Sequence, residues 1–325
     1  MNRNITTILL IIVAGSAGFG GGYYYVTRME RTAGAGQNQT SGTSQGANSG
    51  AVASSRSNAE LVADYAESVG RDQLPFKDQA EFLLLYQKLD QQKAMLAERG
   101  SAAGEEIIKF LGPAGSVSML QNAGSQGNAE NDAILRRRLN PAVREALVDL
   151  LASVDPARAA EDLSIRLLDT NETSRVRSKC AGKLATLDAA RSVPALVTAL
   201  DSASESAWDN CRSIVEALQY IKGPEAESAI LRAFQRQTTE SGLKTACAQA
   251  LGILNSKNFI PALEANIRFE TRDHYVRREA VRSLVKIDSA KAAEVIKDQI
   301  PKELDPPFMT FLESVLSEMN RLAKK

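Results

Sequence analysis

The second half of the chain repeats its apolar positions at a fixed interval. Leu151, Leu184, Leu218, Leu251 and Leu284 follow one another at 33, 34, 33 and 33 residues. Val154, Leu187, Ile221, Leu254 and Ile287 keep that spacing three positions later. Two further columns run in the same register: Leu163, Leu196, Ile230, Leu263 and Ile296, then Leu167, Leu200, Phe234, Ile267 and Ile300. The first two columns stand three residues apart and the last two four apart, both same-face spacings of an α-helix. Each unit is therefore expected to be a pair of helices. Asp155-Pro156, Asp188, Gly223-Pro224, Asn255-Ser256 and Asp288-Ser289 stand between the members of a pair, where turn-forming side chains end one helix and start the next. Hairpins of this kind cannot bury their apolar faces alone, and a period of this length predicts a solenoid in which neighbours stack around one continuous core.

Outside residues 141–303 the period breaks. At the C-terminus, Phe308, Phe311, Leu312, Val315, Leu316, Met319 and Leu322 make one apolar stripe behind Pro306-Pro307, which predicts a closing helix over 304–325. Residues 59–140 read as irregular helix. One long helix is expected from about Pro75 to Arg99 and another, through Ile107, Ile108, Phe110 and Leu111, ending at Gly112-Pro113. This region is either a degenerate repeat with a cap or a separate hairpin docked elsewhere.

Residues 1–4 form a short N-terminus. Residues 5–27, uncharged from Ile5 to Val26 between Arg3 and Arg28, have the length of a membrane-spanning helix. A cleaved signal peptide is the rival reading, with Gly15-Ser16-Ala17 as its processing site. Ala14, Gly18 and Gly22 fall at four-residue spacing, a small-residue face through which two anchors could self-associate. Residues 28–58, rich in Gly, Ser, Asn and Gln, read as a flexible linker. This organisation implies a single-pass protein of a bacterial inner membrane with its repeat domain in the periplasm.

Composition narrows the chemistry. The chain is 44% hydrophobic but only 5% aromatic, the balance of close-packed helices, and the class expected is all-α. Lys plus Arg and Asp plus Glu are equal at 39 each, so no global field gathers nucleic acid, and no nucleic-acid partner is expected. The three cysteines, Cys180, Cys211 and Cys247, have no CxxC spacing. Cys180 and Cys247 share a column with Leu147, Ile214 and Ala280 and read as small apolar filler. Cys211 falls in the column of Arg144, Arg177, Lys244 and Arg277, which marks it as the exposed thiol. The single histidine, His274, lies beside Arg272 and Asp273 and reads as a helix-start residue, and one histidine excludes most multi-histidine metal sites. Arg136-Arg137-Arg138, the densest basic run, points around a helix and reads as solvated surface. Neither a metal nor any other cofactor is expected, and no catalytic residue is nominated.

Val143-Arg144, Val176-Arg177 and Val276-Arg277, with Pro194-Ala195-Leu196, Pro261-Ala262-Leu263 and a turn Asp at 155, 188 and 288, resemble the HEAT-repeat family in its short bacterial form. The resemblance covers residues 141–303. The third unit departs from it, with Asn210-Cys211 in place of Val-Arg and Lys222 in place of the turn Asp. The resemblance implies an α-solenoid of about five HEAT-type hairpins wound as a right-handed superhelix, and a scaffold that binds another protein on a concave face lined by second helices. HEAT-like stacks also include lyases and metal-dependent hydroxylases, so a lyase-type enzyme is the alternative, with a phosphate- or nucleic-acid-binding module behind it. The repeated Arg and Asp columns are expected to form structural ladders. Positions two and six residues after the third apolar column point away from the first helices: Ile165, Thr198, Arg232, Ala265 and Asp298, then Asp169, Ser202, Arg236, Phe269 and Lys302. Arg232, Arg236, Phe269, Asn266 and Lys302 are the candidate binding residues, because arginine and aromatic side chains carry a disproportionate share of interface energy.

Overall fold

The computed structural model describes residues 56–72, 75, 77, 79–112, 135–202, 208–236, 239–268 and 274–323. All lie in the second of the two units into which the chain divides, Ala51–Lys325. The described residues form helices and turns, with no strand among them. Helices α1 (Asn58–Asp72), α2 (Gln79–Glu98) and α3 (Ser101–Leu111) come first. The hairpins follow as α4 (Pro141–Val154) with α5 (Pro156–Leu168), α6 (Ser174–Leu184) with α7 (Ala189–Asp201), and α8 (Trp208–Ile221) with α9 (Pro224–Gln235). Helix α10 (Ser241–Leu254) pairs with α11 (Ile260–Arg268), α12 (His274–Ile287) pairs with α13 (Ser289–Gln299), and α14 (Pro306–Ala323) closes the chain.

Local chemistry accounts for where these helices begin. Ser57 and Glu60 form a reciprocal cap on α1, the Ser57 amide donating to the Glu60 carboxylate (2.8 Å) and the Glu60 amide to Ser57 Oγ (3.2 Å). Ser57 and Asn58, the last two residues of the segment read as linker, thus belong to the cap and first turn of α1. Asn140 accepts from the Ala142 amide to start α4, with Pro141 in the first turn, where a missing amide costs little. The repeated turn aspartates do the same for the second helices: Asp155 accepts from Arg158 N, Asp188 from Ala190 N and Asp288 from Lys291 N. The aspartate column is therefore a set of N-caps rather than a partner for the arginine column. In the third unit, Lys222 (φ 62°) and the N-cap Gly223 (φ 97°) turn the chain in left-handed conformations ahead of Pro224, and the hairpin survives without the aspartate.

Burial follows the apolar register. Every member of the first column and every member of the third is 0% exposed. First helices α4, α6, α8, α10 and α12 pack each on the next, as do second helices α5, α7 and α9, and α11 packs on α13. The fold is an all-α solenoid of stacked hairpins. Helix α1 packs on α4 and α3 on α5, so these two extend the first-helix and second-helix layers by one unit, while α2 lies across α1 and α4. At the other end α14 buries Phe308 and Leu312 and partly buries Phe311, Val315, Leu316 and Met319, whereas Leu322 is exposed rather than part of the closing stripe.

Among the described residues no helix is long and apolar enough to cross a membrane. Even the longest, α2, mixes charged with apolar positions and buries one face against its neighbours. This corrects the expected placement as a single-pass inner-membrane protein with a periplasmic repeat domain. Residues 5–27, on which that expectation rested, lie outside the described residues.

Helix α10 crosses tightly against α12 at Gly252. A Cβ built at Gly252 would lie 2.5 Å from Ser283 Oγ and 2.9 Å from Ser283 Cα, while Ser283 Oγ donates to the Ala248 carbonyl (2.8 Å). Alanine in a helix interior normally stabilises by about 1 kcal/mol over glycine. Here overpacking should outweigh that gain, and Gly252→Ala is expected to destabilise by about 1–3 kcal/mol. Urea denaturation would show a lower midpoint, partly restored by adding Ser283→Gly; a raised midpoint in the single variant would refute the contact.

Candidate functional site

The arginine column lies inside the stack. Arg144 on α4 and Arg277 on α12 are 1% and 2% exposed. Each reaches back to the C-terminus of the preceding second helix, where backbone carbonyls have no partner within their own helix. Arg177 Nε donates to Leu167 O (2.9 Å), and Arg277 Nε and Nη2 donate to Ile267 O (3.2 and 2.9 Å). At the end of α3 the arrangement is fuller. Arg138 donates to Lys109 O and Phe110 O (3.1 and 2.7 Å), Arg144 to Leu111 O (3.0 Å) and Arg166 to Gly112 O (2.7 Å). Arg138 is thus not the solvated side chain the basic run suggested, whereas Arg137 makes a surface pair with Glu67 and Arg136 is exposed.

Two of these arginines carry buried carboxylate partners. Arg144 and Glu172 pair through both guanidinium branches with each side chain 1% exposed, and Arg277 pairs with Glu303 at 3% and 5%. The Arg277 guanidinium also stacks 3.9 Å from the Phe308 ring centre, tying the closing helix to the last repeat. Where the column departs from arginine, local hydroxyls take over. Ser202 Oγ donates to Thr198 O at the end of α7 (2.7 Å), and Thr239 Oγ1 donates to Ala233 O at the end of α9 (2.9 Å). Cys211, at the arginine position of the third unit, is 1% exposed, which corrects its reading as the accessible thiol: Arg144 and Arg277 in this column are buried as well, and Arg177 and Lys244 are half-buried. Burial pushes the Cys211 and Cys180 thiols up and that of Cys247 up to about 12, so none is disposed to act as a thiolate nucleophile.

The outward face of the second helices holds the candidate binding residues, and the structure divides them. Arg232 and Arg236 on and just after α9 converge on one carboxylate, that of Asp201 at the end of α7, at 2.9 and 3.1 Å. Arg232 also donates to Ser228 Oγ (3.1 Å). Lys302 belongs to a separate group further along: its Nζ lies 2.6 Å from Asp298, which also receives Arg268 from α11. Asn266 is half-buried, and its Oδ1 is enclosed without a hydrogen-bond donor among the described residues. Phe269 lies outside the described residues. Asp201, Arg268 and Leu168 escaped the sequence reading although they stand five residues after the third apolar column; the signal was opposite charge about one repeat apart, Asp201 to Arg232. Ile165 and Leu168 of α5 are 49% and 40% exposed on this same face.

His274 begins α12 as expected, with Nδ1 2.9 Å from the Asp305 carboxylate, which itself caps the Phe308 amide. Among the described residues no group of three or more His, Cys, Asp or Glu could hold a metal ion. No family model matches the chain, and no curated protein matches it. Among solved structures, human deoxyhypusine hydroxylase in complex with glycerol is similar at 16% sequence identity, covering 81% of this chain and 96% of that one with a TM-score of 0.33. That likeness is too distant to carry an argument.

Two outcomes follow for the buried pairs. Arg144→Leu, which strands Glu172 in the core, should cost about 3–5 kcal/mol, whereas Arg144→Leu with Glu172→Leu should recover much of that loss. A urea-based double-mutant cycle measures this, and additive losses would contradict direct pairing. For Glu303, burial alone would raise the carboxyl, but hydrogen bonds from Arg277, Gln299 and the Asp305 amide, with the Arg277 charge, outweigh it and hold the group down at about 2. Its contribution to stability is complete above the ordinary carboxylate value of 4.5 and is lost as pH falls toward about 2. Unfolding midpoints measured through that window should fall more steeply for the native chain than for Glu303→Gln; parallel profiles would contradict the pairing.

Proposed function

We propose that this chain is a non-catalytic scaffold of HEAT-type hairpins that binds another protein on the outward face of its second helices. The observation that carries the reading is the row Ile165, Thr198, Arg232, Ala265 and Asp298. These side chains come from successive second helices at one register position, and the second helices pack on one another within α5, α7 and α9 and again within α11 and α13. Such a surface presents many weakly specific contacts to an extended partner, which is the use to which stacked helical repeats lend themselves. The alternative of lyase-type catalysis draws no support from the described titratable groups. The arginines of the interior are committed to carbonyls and carboxylates, and the thiols are buried in neutral form.

Crosslinking in cells followed by purification of the full chain tests this. A defined protein partner should be recovered, and purified partner and purified chain should then form a complex by size-exclusion chromatography. The charge reversals Arg232→Glu and Arg236→Glu should leave helix content and melting nearly unchanged, since exposed pairs contribute little to stability, and should weaken that complex roughly tenfold or more. Failure to reconstitute any complex from purified components would refute the scaffold reading.

A further inference from the structure

Successive units of the stack are tied to one another by side chains, with one exception among the described residues. Arg144 and Arg166 of the first hairpin donate to Leu111 O and Gly112 O at the end of α3. The second hairpin holds the first through Arg177 on Leu167 O and through ion pairs of Arg175 with Glu145 and of Lys179 and Lys183 with Asp149. Arg232 and Arg236 of the third reach Asp201 of the second. The fifth is joined to the fourth by Arg277 on Ile267 O, Ser283 on Ala248 O and Arg268 with Asp298. Between the third hairpin, α8 with α9, and the fourth, α10 with α11, no side-chain hydrogen bond or ion pair crosses among the described residues. Packing breaks at the same place. Helix α5 packs on α7, α7 on α9 and α11 on α13, but α9 and α11 do not pack as those pairs do. The joint is carried instead by α10, which packs on α8 and α9 and, on its other side, on α12, where Gly252 meets Ser283. The register supplies the cause. Lys244 stands, half-buried, where Arg144, Arg177 and Arg277 stand in other units, and Thr239 caps Ala233 O at the end of α9 from within its own hairpin. Three residues after the third apolar column, Arg166, Ala199, Ala233 and Gln299 are buried, and Arg166 there reaches the preceding second-helix layer. The residue of α11 at that position is the half-buried Asn266, whose Oδ1 has no donor among the described residues.

We infer that the stack bends between its third and fourth hairpins, α1–α9 and α10–α14 rocking as two bodies about the apolar contacts of α10 with α8 and α9. In a stack of repeats each unit touches only its neighbours, so the stiffness of the whole passes through every joint in turn and the least constrained joint takes the bend. Apolar packing is nondirectional and accommodates small sliding and rotation of packed helices. A hydrogen bond does not, because its donor and acceptor must stay about 3 Å apart and aligned. The other joints combine both constraints, whereas this one has apolar packing alone. Lysine does not replace the arginine here: a single ammonium on a flexible stem lacks the planar fork that locks a guanidinium onto carbonyls of a neighbouring helix. The first-helix layer is continuous through α8, α10 and α12 and serves as the axis, while the second-helix layer opens and closes between α9 and α11. The seam falls between Arg232 and Ala265 in the outward row, so bending changes the spacing there while each half keeps its own.

Nitroxide pairs on the full-length chain, read by double electron–electron resonance, test this. Leu168→Cys with Gln235→Cys places labels on α5 and α9 within one body, and Thr198→Cys with Ala265→Cys places them on α7 and α11 across the seam. Both pairs skip one unit, and all four sites are exposed. The three native cysteines are buried, and the chain without added cysteines gives the labelling background. The seam-crossing distance distribution is expected to be about twice as broad as the other, or to split in two. Lys244→Arg keeps the charge and sets a guanidinium opposite the end of α9. It should narrow the seam-crossing distribution to the width of the within-body pair and leave that pair unchanged. Equal widths in the otherwise native chain, or a seam-crossing width that Lys244→Arg does not change, would overturn the inference. No partner enters the measurement, so its result is independent of the scaffold reading.

Discussion

A stack of short helices ends many times, and each end leaves backbone carbonyls that cannot bond within their own helix. Where such an end faces a neighbouring repeat and is shielded from water, an unmet carbonyl carries the full cost of desolvation. The guanidinium is the side chain suited to this place, since it offers five donors in a fixed plane and keeps its charge when buried. Arg138, Arg144 and Arg166 together serve the carbonyls of Lys109 through Gly112. Arg177 and Arg277 repeat the solution on Leu167 and Ile267. Because Arg144, Arg177 and Arg277 sit on first helices and reach the second helix of the preceding unit, satisfying the carbonyl also fixes how one unit sits on the next.

The buried charge brought by this device creates a second requirement. Arg144 and Arg277 each recruit a carboxylate from the loop that ends their own hairpin, Glu172 and Glu303. A carbonyl of one unit, a guanidinium of the next and a carboxylate beyond it form a three-part joint, and at the last unit the Phe308 ring completes it. The middle of the stack relaxes the pattern. Cys211 replaces the arginine, Ser202 and Thr239 cap locally, and the charged groups appear instead on the outer surface, where Arg232 and Arg236 meet Asp201.

Much of this was legible in the residues, and the reason is periodicity. A fixed 33- or 34-residue interval among aliphatic positions points to like units burying the same faces, so the hairpins follow from that spacing, while the turns follow from Asp, Gly-Pro and Asn-Ser between the columns and the closing helix from its own apolar stripe. The cap on α1 was also written in the chain, as Ser57 and Glu60 three residues apart, but it sits at the edge of a polar stretch that masks it. The charged columns were legible as repeated positions and misleading as surfaces. Cys211 looked exposed because arginine is usually exposed, while the column itself faces the neighbouring hairpin.

The sequence by itself determined the class, the number of hairpins and their register, since these depend on local helix spacing and on which positions must leave water. Only the tertiary structure decided what the polar residues do. Whether an arginine is a binding group or a cap depends on which carbonyl lies opposite it, and that carbonyl belongs to a different helix: Leu111 for Arg144, Ile267 for Arg277. The same holds for Arg232 and Arg236, whose shared partner Asp201 stands more than thirty residues earlier. Apolar burial is nondirectional and survives as a pattern along the chain, whereas a hydrogen bond requires a donor and acceptor about 3 Å apart, a relation that exists only once the helices are packed.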